Sequence, residues 1–257
     1  MNEDDLSTFE NEDDLSTFDI ESELESPLDE DISDHASPAP DVEEMLALLE
    51  SGDSSQRTIA ARAFSEIQDE RAIPHLIRLL TDICPLVRVS AAYGLGRNTS
   101  SDAVEPLIEQ YHTDWNGYAR KGIVWALGNC RDRRSVGLLV KALQTDISAV
   151  RLWAASGLAQ IAHLDYEDVI VTIAPLIEGL RRDSVPAVRS NCAWALGQLA
   201  RELPSNVVYA TTIDALLEAL VEDEELGVKE DAKDALLRVG DPRGLQTIEE
   251  LELEGFI

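Results

Sequence analysis

The sequence predicts an all-α protein: a solenoid of about six stacked helical hairpins over residues 41–257, behind a disordered acidic N-terminal tail over residues 1–40. Three observations predict it. A basic residue recurs at a near-regular interval, apolar residues keep one helical register around every copy, and the first part of the chain carries charge of a single sign.

The tail is the simplest element. Residues 1–56 contain 20 Asp and Glu and no Lys or Arg, so they hold 20 of the 29 net negative charges. The first 40 residues are rich in Asp, Glu, Ser and Pro and lack the apolar density that would offset chain entropy. Within them a nonapeptide occurs twice in tandem, Asn2 to Glu10 and Asn11 to Asp19, setting Leu6, Phe9, Leu15 and Phe18 among acids. Such a segment is either a solvated tail or a pair of docking motifs that order on a partner or on the solenoid itself. The remaining 201 residues carry 30 acidic and 21 basic side chains, a net of −9 that is ordinary for a folded body. Charge of this sign argues against nucleic acid and anionic membrane as partners.

The repeats follow. The basic residues are Arg57, Arg88, Arg120, Arg151, Arg189 and Lys229, spaced 31, 32, 31, 38 and 40 apart. Counting each as zero, positions −1, +3, +7 and +10 stay mostly apolar: Val150, Ala154, Leu158 and Ile161 in the fourth copy, Val188, Cys192, Leu196 and Leu199 in the fifth. At roughly 100° per residue these fall on one arc, so each copy contains an amphipathic helix. A second apolar segment precedes each, as in Ala72 to Leu80 and Val169 to Leu180, and Pro74 and Pro106 read as first-turn prolines. Asp82, Asp114, Asp183 and Asp223 lie six residues before their basic residues, where they can cap the following helix. Small residues at +4 and +8, such as Ala92 with Gly96 and Ala193 with Gly197, imply close approach of neighbouring helices. One hairpin cannot bury both its apolar faces, whereas stacked copies share a continuous core.

The segments AAYGLG (91–96), WALGN (125–129), RLWAASGLAQ (151–160), AWALGQL (193–199) and GDPRG (240–244) resemble the short HEAT-like repeats of the E/F-type phycobilin lyases. The resemblance spans about residues 53–244 and implies a right-handed α-solenoid whose second helices line a concave surface. Relatives with such repeats include the lyases, phycobilisome-degradation proteins, deoxyhypusine hydroxylase, and cyanobacterial HEAT scaffolds that bind A-type iron–sulfur carriers. The acidic leader and the size look most like the last group. Deoxyhypusine hydroxylase is set aside by residue, because none of His35, His75, His112 or His163 is followed by the Glu its di-iron site needs.

No glycine phosphate loop, zinc-type cysteine pair or metalloprotease helix is present, so no catalytic residue, metal or cofactor is expected. Cys84, Cys130 and Cys192 are odd in number and dispersed, which fits a reducing compartment, and the last two fall in apolar columns. The basic column reads as a structural ladder between repeats, each member in register with an acid. The column at +5 is the informative one: it points about 155° from the core arc, yet it holds Tyr93, Trp125 and Trp194. Beside it lie Val89 and Leu152 at +1, and Arg97, Asn129, Gln160 and Gln198 at +9. These nine residues are the expected partner-binding groove, aromatic anchors ringed by amides; the competing reading is that the helix phase is off by one and the rings are core.

The function expected is therefore a cytoplasmic protein-binding scaffold or maturation factor, without membrane insertion, that grips a folded protein client in its concave groove. An iron–sulfur carrier or a phycobilisome component would be such a client. The alternatives are a phycobilin lyase subunit or a chaperone of phycobiliproteins, and an adaptor for phycobilisome degradation.

Overall fold

The computed structural model describes residues 40–254, which form thirteen α-helices and three short 3-10 turns, with no strand among the described residues. The acidic tail expected at residues 1–40, with Leu6, Phe9, Leu15 and Phe18, lies outside the described residues apart from Pro40. The helices pair as six hairpins. They are α1 (Val42–Leu48) with α2 (Ser54–Ala63), α3 (Ile73–Leu79) with α4 (Pro85–Arg97), and α5 (Ser101–Thr113) with α6 (Gly117–Cys130). Then come α7 (Val136–Thr145) with α8 (Ser148–Ala159), α9 (Tyr166–Arg182) with α10 (Pro186–Ala200), and α11 (Val207–Glu222) with α12 (Leu226–Val239). A last helix, α13 (Pro242–Glu254), covers the end of the stack, burying Ile248.

Local chemistry sets the boundaries. Asp41, Asp53, Ser100, Asn116 and Asn206 each accept hydrogen bonds from backbone N–H groups of the turn they open. Pro85 and Pro186 occupy first turns, where no N–H is needed. Pro106 does not: Ser100 starts α5 earlier than the apolar pattern suggested, and the proline lies inside the helix.

The second helices of successive hairpins pack against one another far more extensively than the first helices do. Close packing of one row and spreading of the other curves the stack, with the second helices on the inner, concave side. Small residues permit the approach. A Cβ built on Gly128 would stand 2.7 Å from the Cα of Gly157 in the next repeat, so α6 and α8 cross backbone to backbone.

The basic column forms the expected ladder. Arg57, Arg88, Arg120, Arg151 and Arg189 each grip a carboxylate one repeat ahead, Asp82, Asp114, Asp146, Asp183 and Asp223, through Nε and Nη2. Their third nitrogen donates to a carbonyl in the turn before their own helix, those of Ser51, Asp82, Asp114, Asp146 and Asp183. Asp146 escaped the sequence pattern because its turn is one residue shorter. Asp114, Asp146, Asp183 and Asp223 stand at the C-caps of the first helices; none is the N-cap of the helix that follows, and each ladder aspartate accepts a backbone N–H within the turn, as Asp82 does from Cys84 at 2.8 Å and Asp114 from Asn116 at 2.9 Å. Burial alone would raise the Asp114 carboxyl, but the hydrogen bonds from Arg88, Gln110 and the Asn116 backbone outweigh it and hold it below the ordinary carboxylate range. The same balance lowers Asp82, Asp146 and Asp223.

A second, outer ladder went unread in the sequence. In Asp69-x-Arg71, Asp132-x-Arg134 and Asp241-x-Arg243 the aspartate binds the arginine two residues on. Each arginine also reaches a first helix of the preceding repeat, at Glu43, Glu105 and Asp214.

Candidate binding groove

The concave face is built from the outward columns of the second helices, and the aromatics of the +5 column are neither fully solvent-exposed nor core. Tyr93, Trp125 and Trp194 are all half-buried. With the second helices so close, a large outward side chain folds back across the preceding repeat. The Trp125 indole lies over Gly96 of α4, in the space a Cβ there would fill. Tyr93 meets it with ring centroids 5.3 Å apart and planes tilted by 41°. Trp194, separated from that pair by Ser156 in the same column, packs instead against the core, as Leu152 does.

The other expected groove residues divide. Val89 is a correction: it is 1% exposed and offers no surface, because the α4–α6 contact closes over it. Arg97 is exposed; Asn129, Gln160 and Gln198 are half-buried. The amides do structural service as well, since Asn129 donates to the Gly96 carbonyl and Gln160 accepts from Arg131.

The feature that sequence reasoning missed is Lys121. It stands in the +1 column between Val89 and Leu152, and it is 1% exposed, with its Nζ 5.9 Å from the centre of the Trp153 ring. The lone basic residue in a column that reads Thr58, Val89, Lys121, Leu152, Ser190 and Glu230 was the available signal. Tyr93, Trp125, Lys121 and Trp153 thus place flat apolar rings and one enclosed positive charge along three adjoining inner helices, α4, α6 and α8. The half-buried rings can stack on a planar conjugated group, while Lys121 lies enclosed beneath the surface.

A second surface was also missed. The residue after each ladder aspartate is large and apolar in three successive repeats, Ile83, Trp115 and Ile147, with Ile83 92% and Trp115 75% exposed at the rim. Trp115 lies over the Arg88 guanidinium at 5.8 Å. A cleft of about 580 Å³ between α7, α8 and α9 is lined by charges that satisfy one another, Arg151 with Asp183 and Arg182 with Glu178.

Among the described residues no group of three or more His, Cys, Asp or Glu could hold a metal ion. Cys192 is fully buried and burial raises its thiol strongly; Cys130 is half-buried and raised for the same cause, so neither is primed as a nucleophile. No described helix is long and apolar enough to cross a membrane.

HEAT repeats match residues 42–123, 104–171 and 173–254. The chain belongs to the HEAT-repeat family. Among curated relatives, this HEAT-repeat chain is 36% identical over 124 residues to the bilin biosynthesis protein RpcF of Synechococcus sp. strain WH8020, a match covering 41% of the chain and 59% of the relative. The chain therefore spans less than two thirds of that relative's length. The phycocyanin lyase complex of CpcE and CpcF from Nostoc sp. PCC7120 shares the fold, with TM-score 0.57 and 23% identity over 82% of each chain. So does a designed armadillo repeat protein in complex with the peptide (KR)4, with TM-score 0.56 and 21% identity over 78% of this chain and all of that one. These comparisons give no support to the likeness to iron–sulfur carrier scaffolds that the acidic leader and the size suggested.

Proposed function

We propose that the chain is a subunit of a phycobilin lyase, handling a bilin on its way to a cysteine of an antenna protein, in preference to the general client scaffold expected at first. The observation that carries this reading is the 36% identity to a bilin biosynthesis protein over 124 residues. The groove supports it on chemical grounds. A bilin is a flat conjugated chain, and the half-buried Tyr93–Trp125 pair offers it stacking surface. In this role the chain binds and orients. With no activated thiol or titratable cluster in the groove, it excludes water from the pigment and presents it, and the antenna protein supplies the cysteine.

The test is co-production with bilin-forming enzymes, a phycobiliprotein subunit and a second HEAT-repeat subunit of lyase type. Covalent pigment on the antenna polypeptide, visible after denaturing electrophoresis, is expected only when this chain is present. Trp125→Ala should lower the yield without altering that polypeptide's level. Capture of the antenna subunit with no pigment attached under any of these conditions would leave the scaffold reading in its place.

A further inference from the structure

We propose that the tandem nonapeptide of the N-terminal segment, Asn2 to Glu10 and Asn11 to Asp19, docks on the N-terminal half of this chain's own concave face, across Arg62, Tyr93, Arg97 and Trp125. The inference uses the groove and does not depend on a bilin ever binding there.

Charge along the groove carries the argument. In the first three repeats the outward columns supply Arg62, Arg97 and Lys121 beside Ile59, Leu86, Tyr93 and Trp125, with Glu66 as the acid among them. In the last repeat the same columns supply Glu230, Asp231 and Asp234, with Arg238 as the base among them, a net negative charge. The groove is therefore cationic and aromatic at one end and anionic at the other. Arg97 is exposed and makes no ion pair among the described residues, while Ile59 and Leu86 present apolar surface at 60% and 47% exposure.

The segment outside the described residues is complementary to that end. Residues 2–19 carry eight acids and no base, and each nonapeptide brings one Leu and one Phe three residues apart. Two copies offer two attempts at the same contacts, which raises the effective local concentration of the motif. The chain enters the solenoid at Asp41, beside α1 and hence at the cationic end. The 22 residues from Asp19 to Asp41 span up to roughly 75 Å when extended, against roughly 30 Å for three stacked repeats about 10 Å apart. Reach is not limiting, and the acidic far end repels the segment. Docking there covers the Tyr93–Trp125 pair, so the segment acts as a tethered competitor that an anionic or aromatic ligand must displace.

Hydrogen exchange of the full chain tests the proposal. Amides of residues 2–19 are expected to exchange about tenfold or more slowly than in the free eighteen-residue peptide, and α4 and α6 should share the protection. Both effects should disappear in a Leu6→Ser, Phe9→Ser, Leu15→Ser, Phe18→Ser variant, which leaves the solenoid untouched, and in Arg62→Glu, Arg97→Glu, whose sites are exposed. Raising salt to about 0.5 M should weaken the protection, as screening requires. Exchange at the free-peptide rate in the unaltered chain overturns the proposal. So does protection that survives Arg62→Glu, Arg97→Glu, since docking would then lie elsewhere, or protection that scales with protein concentration, since the segment would then reach a second copy. Because no pigment enters the measurement, its failure and that of the lyase reading are separate results.

Discussion

Arg88 and Asp114 are the most enclosed rung of the inner ladder, with side chains 7% and 0% exposed. Removing the anion leaves a guanidinium buried beneath Trp115, so Asp114→Asn should cost about 3 kcal/mol or more of stability, seen as a lower urea midpoint with unchanged slope. The outer ladder behaves differently: Arg243 and Asp214 are 48% and 59% exposed, and Asp214→Asn should cost less than about 1 kcal/mol. The lowered Asp114, Asp82, Asp146 and Asp223 carboxyls give the ladder a pH signature. A carboxyl depressed in the folded state stabilises fully above its unfolded value near 4 and loses that stabilisation as pH falls through its folded value. Urea midpoints should therefore be flat in this respect from about pH 7 to 5 and fall below about 4, less steeply in Asp114→Asn. Among the aromatics, Trp194→Ala should lower the melting temperature, because its ring packs on the core, whereas Trp125→Ala should act more on ligand binding.

At the scale of the element, the glycine crossing between α6 and α8 is decisive. Gly128→Ala drives a methyl into the backbone of Gly157, where no side chain can rotate away, and should cost about 1–3 kcal/mol by forcing the two helices apart. Gly137 in α7 is the control, with nothing within 4 Å of a built Cβ; Gly137→Ala should be neutral or stabilise by up to about 1 kcal/mol through lower chain entropy. Thermal melts of both variants separate packing from propensity. The apolar columns, the first-turn Pro74 and the ladder arginines were legible in single repeats, because each obeys a local rule of period or capping, whereas Pro106 lies inside its helix. The phase of the +5 column was only half legible. A wheel places Trp125 opposite the core, but the neighbouring helix, absent from any wheel, supplies the floor on which the indole lies.

For the whole molecule, a stack of hairpins is held by nearest-neighbour interfaces and needs its ends covered. The terminal helix α13 does this at one end: Ile248 is buried and Gly244 lies against Leu236 of α12. Deleting residues 241–257 should expose the α11–α12 face, lower the melting temperature and produce concentration-dependent association, followed by light scattering. The amino-acid sequence by itself determined the fold class, the repeat register and the pairing of the basic column with acids, since all three are periodic along the chain and demand only that neighbours be alike. Tertiary structure alone decided that Val89 is sealed, that Trp194 belongs to the core side, and that Lys121 lies enclosed beside Trp153. Those facts depend on how closely one repeat approaches the next. That spacing is set by contacts such as Gly128 on Gly157, between residues 29 positions apart, which no pattern within a single repeat contains.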